Sequence, residues 1–271
     1  MYLAIDVGAT KTLAAIFSAS GNLAYSQKIP TARDYRKFLA NLQSVLQQEE
    51  FKNHHISACC CAVPGKIDRK KGIGLTMGNL PWDHVHVRAD LEKIIGHIPI
   101  FIENDANLAG LYEARQVKDR YKDVVYLTIS TGIGDGVIID GRIDPAFANS
   151  ESGQMVLEHE GRLRKWEDIA SGRAFKAKYG KKAAEVDNPF IWKQFSRALA
   201  KGIGELVATI QPDAIILGGS VGAHTEKFAA FLKEELEKYH TNMVPIPPII
   251  KARKAEEAVV YGCYEYIKQN I

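Results

Sequence analysis

The 271-residue sequence lacks a strong excess of charge of either sign and lacks any long apolar run. Its 35 basic and 32 acidic residues leave a formal net charge of only +3, whereas nucleic-acid-binding domains usually carry a strongly basic stripe. The first residues have neither the basic region nor the apolar stretch of a signal peptide, and no apolar run approaches the roughly 18 residues that cross a membrane. We therefore expect a cytoplasmic protein that binds neither nucleic acid nor membranes.

Cysteine is also scarce, and its placement excludes a disulfide framework. Three of the four cysteines, Cys59 to Cys61, are consecutive within an apolar run. Adjacent residues of a strand point to opposite faces of the sheet, so these three thiols cannot form a regular set of disulfides or a metal cage. We expect buried and reduced thiols.

What the sequence does contain is an alternation of short apolar segments and stretches with helical spacing, which predicts an α/β architecture. The expected strands cover residues 3–7, 12–17, 23–29, 56–63, 98–102, 124–129, 137–139 and 214–217. The expected helices cover residues 35–48, 108–117, 189–210, 225–239 and 255–268. Because a second pattern of strand, glycine turn and strand begins near residue 124, the sequence predicts two related halves.

The first glycine turn offers several groups that suit a phosphate. The predicted contacts are Gly8, Thr10, Lys11 and Thr12. Backbone N–H groups of such a turn, together with threonine hydroxyls, bind phosphate oxygens, and the neighbouring Asp6 suits hydrated Mg²⁺. The turn is not a Walker loop, since Lys11 lacks the preceding glycine of GxxxxGK[ST]. An ordinary β-hairpin closed by a glycine turn is the alternative interpretation.

Two further glycine turns follow apolar segments. The second turn spans Ser130–Gly136, and its predicted phosphate contacts are Thr131, Gly132 and Gly134. It does not match the GxGxxG motif, and a strand is expected where a dinucleotide-binding helix would begin, so NAD is disfavoured. The third turn follows the apolar segment 214–217, and its small residues, Gly218 and Gly219, would let an adenine ring lie against the backbone.

An acidic residue, Asp105, lies between an expected strand and an expected helix. This places Asp105 at the carboxyl end of a sheet, where ligands bind in open α/β folds. A carboxylate there can accept the proton of a substrate hydroxyl during phosphoryl transfer. Glu103, Asn104 and Asn107 surround it, and Asn107 could equally cap the helix. A capping role is likewise the alternative for Asp105.

These motifs, in this order, resemble those of the ROK sugar kinases and related transcriptional repressors over essentially the whole chain. The matching motifs are DVGATKT (6–12), VPG (63–65), GNLPW (78–82), ENDAN (103–107), STGIGDG (130–136) and LGG (217–219). The resemblance implies the two-domain actin-like ATPase fold (ribonuclease H-like), with a ligand cleft between the domains. We expect an N-terminal domain, 1–117, joined by the C-terminal helix 255–271, and a C-terminal domain, 118–254.

The resemblance also implies a set of sugar contacts. These are Asn79, Asn104, Asp105 as the catalytic base, Glu151, Gln154 and Glu167. Gln154 stands where the family usually has histidine, and residues 160–165 contain none of the cysteines of the family's zinc motif, so no zinc is expected. Asp135 stands where the family usually has glycine, and it would either help to hold the metal or point to solvent.

The function implied is ATP- and Mg²⁺-dependent phosphorylation of a hexose hydroxyl, similar to that of a glucokinase, by a protein that forms homodimers. One alternative is a sugar-sensing regulator of the same family, but the first hairpin begins at residue 3, which leaves no room for an N-terminal DNA-binding domain. The other alternative is a ROK protein that binds sugar and nucleotide with weak or lost kinase activity.

Overall fold

The computed structural model describes residues 1–254 and 257–271. These residues form two compact units: the first unit comprises Met1–Tyr112 and Glu257–Ile271, and the second unit comprises Glu113–Glu256. The sequence-based domain boundaries, 1–117 with 255–271 and 118–254, stay a prediction. The expected start of the last helix at residue 255 lies outside the described residues.

The strands and helices alternate along the chain, as the sequence predicts for an α/β protein. The strands are β1 (Tyr2–Val7), β2 (Lys11–Phe17), β3 (Leu23–Pro30), β4 (Ala58–Val63), β5 (Lys66–Asp68), β6 (Ile73–Thr76), β7 (Asp83–Val85), β8 (Ile100–Asn104), β9 (Val124–Ile129), β10 (Ile133–Ile139), β11 (Arg142–Ile143), β12 (Val156–His159), β13 (Arg162–Lys165), β14 (Ala214–Gly218) and β15 (Ile249–Lys251). The α-helices are α1 (Tyr35–Leu46), α2 (Glu49–Lys52), α3 (Val87–Ile95), α4 (Asp105–Arg115), α5 (Glu167–Ala170), α6 (Gly172–Tyr179), α7 (Pro189–Ile210), α8 (Gly219–Gly222), α9 (Ala229–Leu236) and α10 (Ala258–Asn270).

The first unit is built on a five-stranded sheet in the order β3-β2-β1-β4-β8. Strands β1 to β3 are antiparallel, whereas β4 and β8 run parallel to β1. All six residues of β4 are buried, because α10 packs against this strand and the side chains of α1 and α3 join its other neighbours in the core. A strand covered on both faces has a continuous apolar sequence, which accounts for the run ACCCAV.

All four cysteines of the chain lie in this first unit, three on β4 and Cys263 on α10. They are free and buried. Burial raises the pKa of Cys59, Cys60 and Cys61, and the neighbouring thiols add to the effect. Thiols in such an environment are inert structural residues.

The second unit repeats this plan with a sheet in the order β11-β10-β9-β14-β15. Strand β9 pairs antiparallel with β10 and parallel with β14. An aromatic cluster forms its core, in which the rings of Trp192 and Phe228 stack with centroids 5.3 Å apart. None of the helices within the described part of the chain combines the length and the apolar character that crossing a membrane requires.

Three sequence-based expectations are wrong in detail. The helix expected at 225–239 is interrupted, since Phe228 leaves helical geometry where its ring enters the aromatic core. Helix α4 begins at Asp105 and not at residue 108. Strand β10 begins at Ile133 and not at residue 137, so Gly134 belongs to this strand, opposite Thr128.

Candidate functional site

The first glycine turn is a tight hairpin between β1 and β2. The N–H of Gly8 donates to the carbonyl of Lys11 over 3.0 Å, and a Cβ atom at Gly8 would lie 2.8 Å from that same oxygen, so the turn requires glycine. Thr10 and Lys11 are exposed at its tip. The Thr12 side chain is fully buried and its hydroxyl pairs with that of Thr31 at 2.8 Å. Its role as a phosphate contact stays a prediction.

Two carboxyl groups of the first unit are weaker acids than ordinary aspartates. Burial raises the pKa of Asp6, at the end of β1, to about 7, and the negative charge of Asp105 adds to this shift while Lys28 opposes it. Burial also raises the pKa of Asp105 to about 6, against the hydrogen bond from the N–H of Ala106. The structure therefore brings together the predicted base and the predicted magnesium ligand, because β1 and β8 end at the same edge of the sheet.

Asn104 caps helix α4 and positions Asp105 as the first helical residue. Its side-chain oxygen accepts hydrogen bonds from the N–H groups of Ala106 and Asn107, at 2.8 and 3.3 Å, as an N-cap residue does. The Asn104 amide donates to the carbonyl of Gly65 over 3.2 Å. The capping role considered for Asn107 is wrong, since Asn107 is buried within the helix.

A buried ion pair lies behind this helix start, and sequence reasoning missed it. The guanidinium group of Arg69 donates to both carboxylate oxygens of Glu103, at 2.7 and 2.5 Å. Glu103 is 1% exposed and also accepts from the N–H of Asn104 and the amide of Asn107. Arg88 in turn donates to the carbonyl of Arg69 over 2.7 Å. No motif marked Arg69, because its partner is 34 residues away in the chain.

The turn that carries Asn79 lies against the same elements. Asn79 is exposed, and it follows Gly78, whose nitrogen would lie 2.8 Å from a Cβ atom at Gly65. The turn is held by Trp82, which is 4% exposed, donates its indole N–H to the carbonyl of Arg33 over 2.8 Å and packs 4.7 Å from the ring of Phe38. The VPG, GNLPW and ENDAN motifs thus converge in the first unit.

In the second unit, the second glycine turn is shorter than the sequence suggests. It comprises Ser130 to Gly132, with Thr131 exposed. The carbonyl of Ser130 accepts from the N–H of Gly172 over 2.6 Å, which ties the turn to the start of α6. A Cβ atom at Gly132 would lie 2.5 Å from a carboxylate oxygen of Glu167. A predicted phosphate turn and a predicted sugar contact are therefore neighbours.

The third glycine turn lies against the strand that precedes the second. Gly219 has a φ of +78°, and a Cβ atom there would lie 2.6 Å from the carbonyl oxygen of Ile129, so both conformation and space require glycine. A cavity of about 380 Å³ adjoins these turns. Its lining residues are Ser130, Thr131, Gly172, Arg173, Lys176, Lys182, Ala183, Ala184, Ser220 and Val221. Sequence reasoning missed the three cations of this lining, because Arg173 and Lys176 lie on α6 while Lys182 follows the helix, and together they form no motif.

The remaining predicted sugar contacts form a second group in the same unit. Glu151 directly precedes a short 3₁₀ turn, Ser152–Gln154, of which Gln154 is the last residue, and both are exposed. The Gln154 amide donates to a carboxylate oxygen of Glu167 over 3.0 Å, and the Arg173 guanidinium lies 3.6 Å from that oxygen. The structure thus brings Gln154 and Glu167 together.

Asp135 does not point to solvent. It is 4% exposed, and its two carboxylate oxygens accept from the hydroxyl of Ser150 and from the N–H of Ser152, the latter over 2.8 Å. Over residues 1–254 and 257–271, no three His, Cys, Asp or Glu side chains gather into a group that could hold a metal ion.

Comparison with known proteins gives a consistent family. The chain is 28% identical over 269 residues to an N-acetylmannosamine kinase of Salmonella newport, covering 88% of this chain and 90% of that protein. The crystal structure of a ROK hexokinase from Thermus thermophilus matches with a TM-score of 0.80 and 27% identity, over 99% of both chains.

A ROK family glucokinase from Streptomyces griseus, solved with glucose and AMPPNP, matches with a TM-score of 0.81 over 99% of both chains at 20% identity, which is a likeness of fold. These matches confirm the α/β fold of the ROK sugar kinases that the motifs imply. The model of the ROK family matches residues 2–270, and the chain therefore belongs to the ROK family.

Proposed function

We propose that this protein transfers the γ-phosphoryl group of ATP to a hydroxyl group of a hexose or an N-acylated hexosamine. The observation that carries the proposal is Asp105, held at the start of α4 with a pKa raised to about 6. Such a carboxyl group is ionised near pH 7 yet more basic than an ordinary aspartate, which suits a general base. The kinase names of the relatives support the same chemistry.

In this proposal Asp105 accepts the proton of the sugar hydroxyl as its oxygen attacks the γ-phosphorus and the bond to the β-phosphate oxygen breaks. ADP leaves with the electrons of that bond, so the transfer balances without a further reactant. Asn79 and Asn104 would bind sugar hydroxyls beside Asp105. Glu151, Gln154 and Glu167 are the further proposed sugar contacts.

The three glycine turns would hold the nucleotide. The proposed phosphate contacts are Gly8, Thr10, Lys11 and Thr12 of the first turn and Thr131, Gly132 and Gly134 of the second, and Gly218 with Gly219 would accommodate the adenine. The cavity lined by Thr131, Lys176 and Lys182 has the volume and positive charge that a nucleotide requires.

Magnesium fits the carboxyl groups of the first unit. Asp6 and Asp105 are close enough for the charge of one to raise the pKa of the other, and a divalent cation would relieve this repulsion. Asp6 would hold hydrated Mg²⁺, which supplies neutralisation of phosphate charge when bound. Homodimer formation and a cytoplasmic location also stay proposals.

A coupled assay of ADP release over a sugar panel tests the proposed function. The panel contains glucose, N-acetylglucosamine, N-acetylmannosamine and fructose, each with Mg-ATP. We expect sugar-stimulated ADP formation with at least one of them. Absence of stimulation by every sugar, together with calorimetric binding of a sugar or of ATP, would favour the alternative of a ROK protein that binds ligands and has lost turnover.

A further inference from the structure

Asp135 is a buried carboxylate whose position is unusual within its strand. On β10 it lies two residues after Ile133 and two residues before Val137, both of which belong to the apolar core of the second unit. It therefore projects from the same face of the sheet as these apolar side chains. Burying an ionised carboxylate costs free energy unless its oxygens are fully hydrogen-bonded, so its contacts need a physical account.

The two donors to Asp135 belong to the residues on either side of Glu151, one of the predicted sugar contacts. The hydroxyl of Ser150 donates to one oxygen of Asp135, and the N–H of Ser152 donates to the other over 2.8 Å. Glu151 lies between the two donors. A chain segment fixed on both sides of a residue leaves that residue little backbone freedom.

The same segment also packs tightly onto the strand that carries Asp135. A Cβ atom at Gly153 would overlap the carbonyl oxygen of Ile133, so only glycine lets the 3₁₀ turn approach β10 this closely. This close packing is independent of the Asp135 hydrogen bonds. Both observations fix the turn against the beginning of β10.

Main-chain hydrogen bonds continue from this turn to the other two predicted sugar contacts. The carbonyl of Ser152 accepts from the N–H of Met155 over 3.0 Å, and the carbonyl of Met155 accepts from the N–H of Trp166 over 2.8 Å. Trp166 directly precedes Glu167, which accepts from the amide of Gln154 over 3.0 Å. A continuous set of bonds thus joins Asp135 to all three residues.

From this arrangement we propose that Asp135 is a positioning residue for sugar binding. It acts through the Ser150–Ser152 backbone to place Glu151, Gln154 and Glu167, and it contacts neither the sugar nor the metal. The inference rests on the proposed function, because it takes these three residues as sugar contacts. The neighbouring glycine turn that would hold phosphate is anchored separately, through Gly172.

The test compares Asp135→Ala and Asp135→Asn in the full chain. We expect Asp135→Ala to raise the KM for the preferred sugar on the order of 10- to 100-fold, because small displacements of binding groups have effects of this size. The KM for ATP should change less than about twofold, since the phosphate turn keeps its own anchor. Asp135→Asn keeps an acceptor for the N–H of Ser152 and should recover most of the sugar affinity.

The matched control is Asp213→Ala. Asp213 also accepts two main-chain hydrogen bonds in the second unit, from Lys122 and Asp123 at 2.8 and 3.1 Å, before the start of β9, whereas Asp135 pairs with Leu127 further along that strand. We expect this variant to lower thermal stability without changing the KM for the sugar. Equal changes in the KM for sugar and for ATP in Asp135→Ala, or an unchanged KM for the sugar, would overturn the proposal.

Hydrogen exchange gives a readout that does not depend on turnover. Peptides covering residues 150–154 should lose amide protection in Asp135→Ala and keep it in Asp213→Ala. If protection is unchanged in Asp135→Ala, Asp135 is not the anchor. If the wild-type protein shows exchange as expected but phosphorylates no sugar of the panel, the proposed function fails while the anchor stands.

Discussion

The two units support their predicted sugar contacts with buried carboxylates of different kinds. In the first unit, Glu103 faces a cation, the guanidinium group of Arg69, at 2.7 and 2.5 Å. In the second unit, the donors to Asp135 are neutral, a serine hydroxyl and a backbone N–H. An ion pair loses most of its compensation when one partner is removed, whereas neutral donors each contribute about 0.5–3 kcal/mol.

The two kinds of contact are expected to affect different properties of the protein, stability in one case and ligand affinity in the other. Arg69 follows β5 directly and Glu103 lies on β8 just before α4, so removing Arg69 leaves a buried charge in the first unit. The Asp135 anchor holds a short surface turn. We therefore expect the first to control stability and the second to control ligand affinity.

The largest expected effect concerns the proposed catalytic base, Asp105. Asp105→Asn removes the proposed base, and kcat should fall on the order of 10²- to 10⁴-fold, while ATP binding measured by calorimetry stays within about twofold of wild type. The control is Asp34→Asn, at the start of α1, where asparagine can still cap the helix. An Asp105→Asn variant with wild-type turnover would refute the assignment of the base.

The next effect tests the Arg69–Glu103 ion pair. Arg69→Met leaves Glu103 charged and buried, and should lower the free energy of unfolding by about 3–5 kcal/mol, measured by urea denaturation. Adding Glu103→Gln should recover part of this loss. Lys71→Met, which breaks an exposed pair with Asp68 at 3.9 Å, should cost at most about 1 kcal/mol. If Arg69→Met destabilises the protein no more than Asp135→Ala does, the expectation that the Arg69–Glu103 pair controls stability is wrong.

A smaller effect depends on pH. Because the pKa of Asp6 is raised to about 7 in the folded state, the folded protein binds more protons than the unfolded chain between about pH 4 and pH 7. Stability without magnesium should therefore fall as pH rises through this range, by at most about 4 kcal/mol from this group. Asp105, whose pKa is raised to about 6, adds a slope of the same sign below about pH 6, so Asp6→Asn should flatten the profile of chelator-treated protein chiefly between about pH 6 and pH 7.

Asp213 in the second unit is a control, because its pKa is lowered where that of Asp6 is raised. Hydrogen bonds from the N–H groups of Asp123 and Lys122 lower the pKa of Asp213, so the stability it contributes is present above the unfolded pKa and is lost as pH falls through the folded pKa. Between pH 5 and pH 8, Asp213→Asn should therefore change stability by a constant amount. A similar pH slope in Asp6→Asn and wild type would show that Asp6 is not the group that titrates.

Much of the fold could be predicted because burial leaves a strong pattern in the sequence. The β1–β2 hairpin, the fully buried strand β4 and the long helix α7 have regular apolar spacing. The hairpin β12–β13 was missed because most of its residues are exposed. Its signal was the turn at Glu160 and Gly161, whose positive φ values, 53° and 76°, are those of a two-residue hairpin turn.

The candidate site could be predicted where motifs are local. The glycine turns and ENDAN carry their information in neighbouring residues, so their placement at strand ends follows from sequence. Arg69 and Asp135 act through partners distant in the chain or through backbone N–H groups, and neither type of contact leaves a motif. The local identity of Asp135 suggested a metal or solvent, and its burial and its partners contradict the solvent alternative.

The confinement of every cysteine to the first unit makes that unit separately observable. Cys59, Cys60, Cys61 and Cys263 are buried and free, so a thiol reagent can modify them only when β4 and α10 separate. The rate of thiol modification in native buffer therefore counts opening events of the first unit alone. Comparing that rate in the presence of sugar or of Mg-ATP would show which ligand stabilises the first unit against opening, with no substitution in the protein.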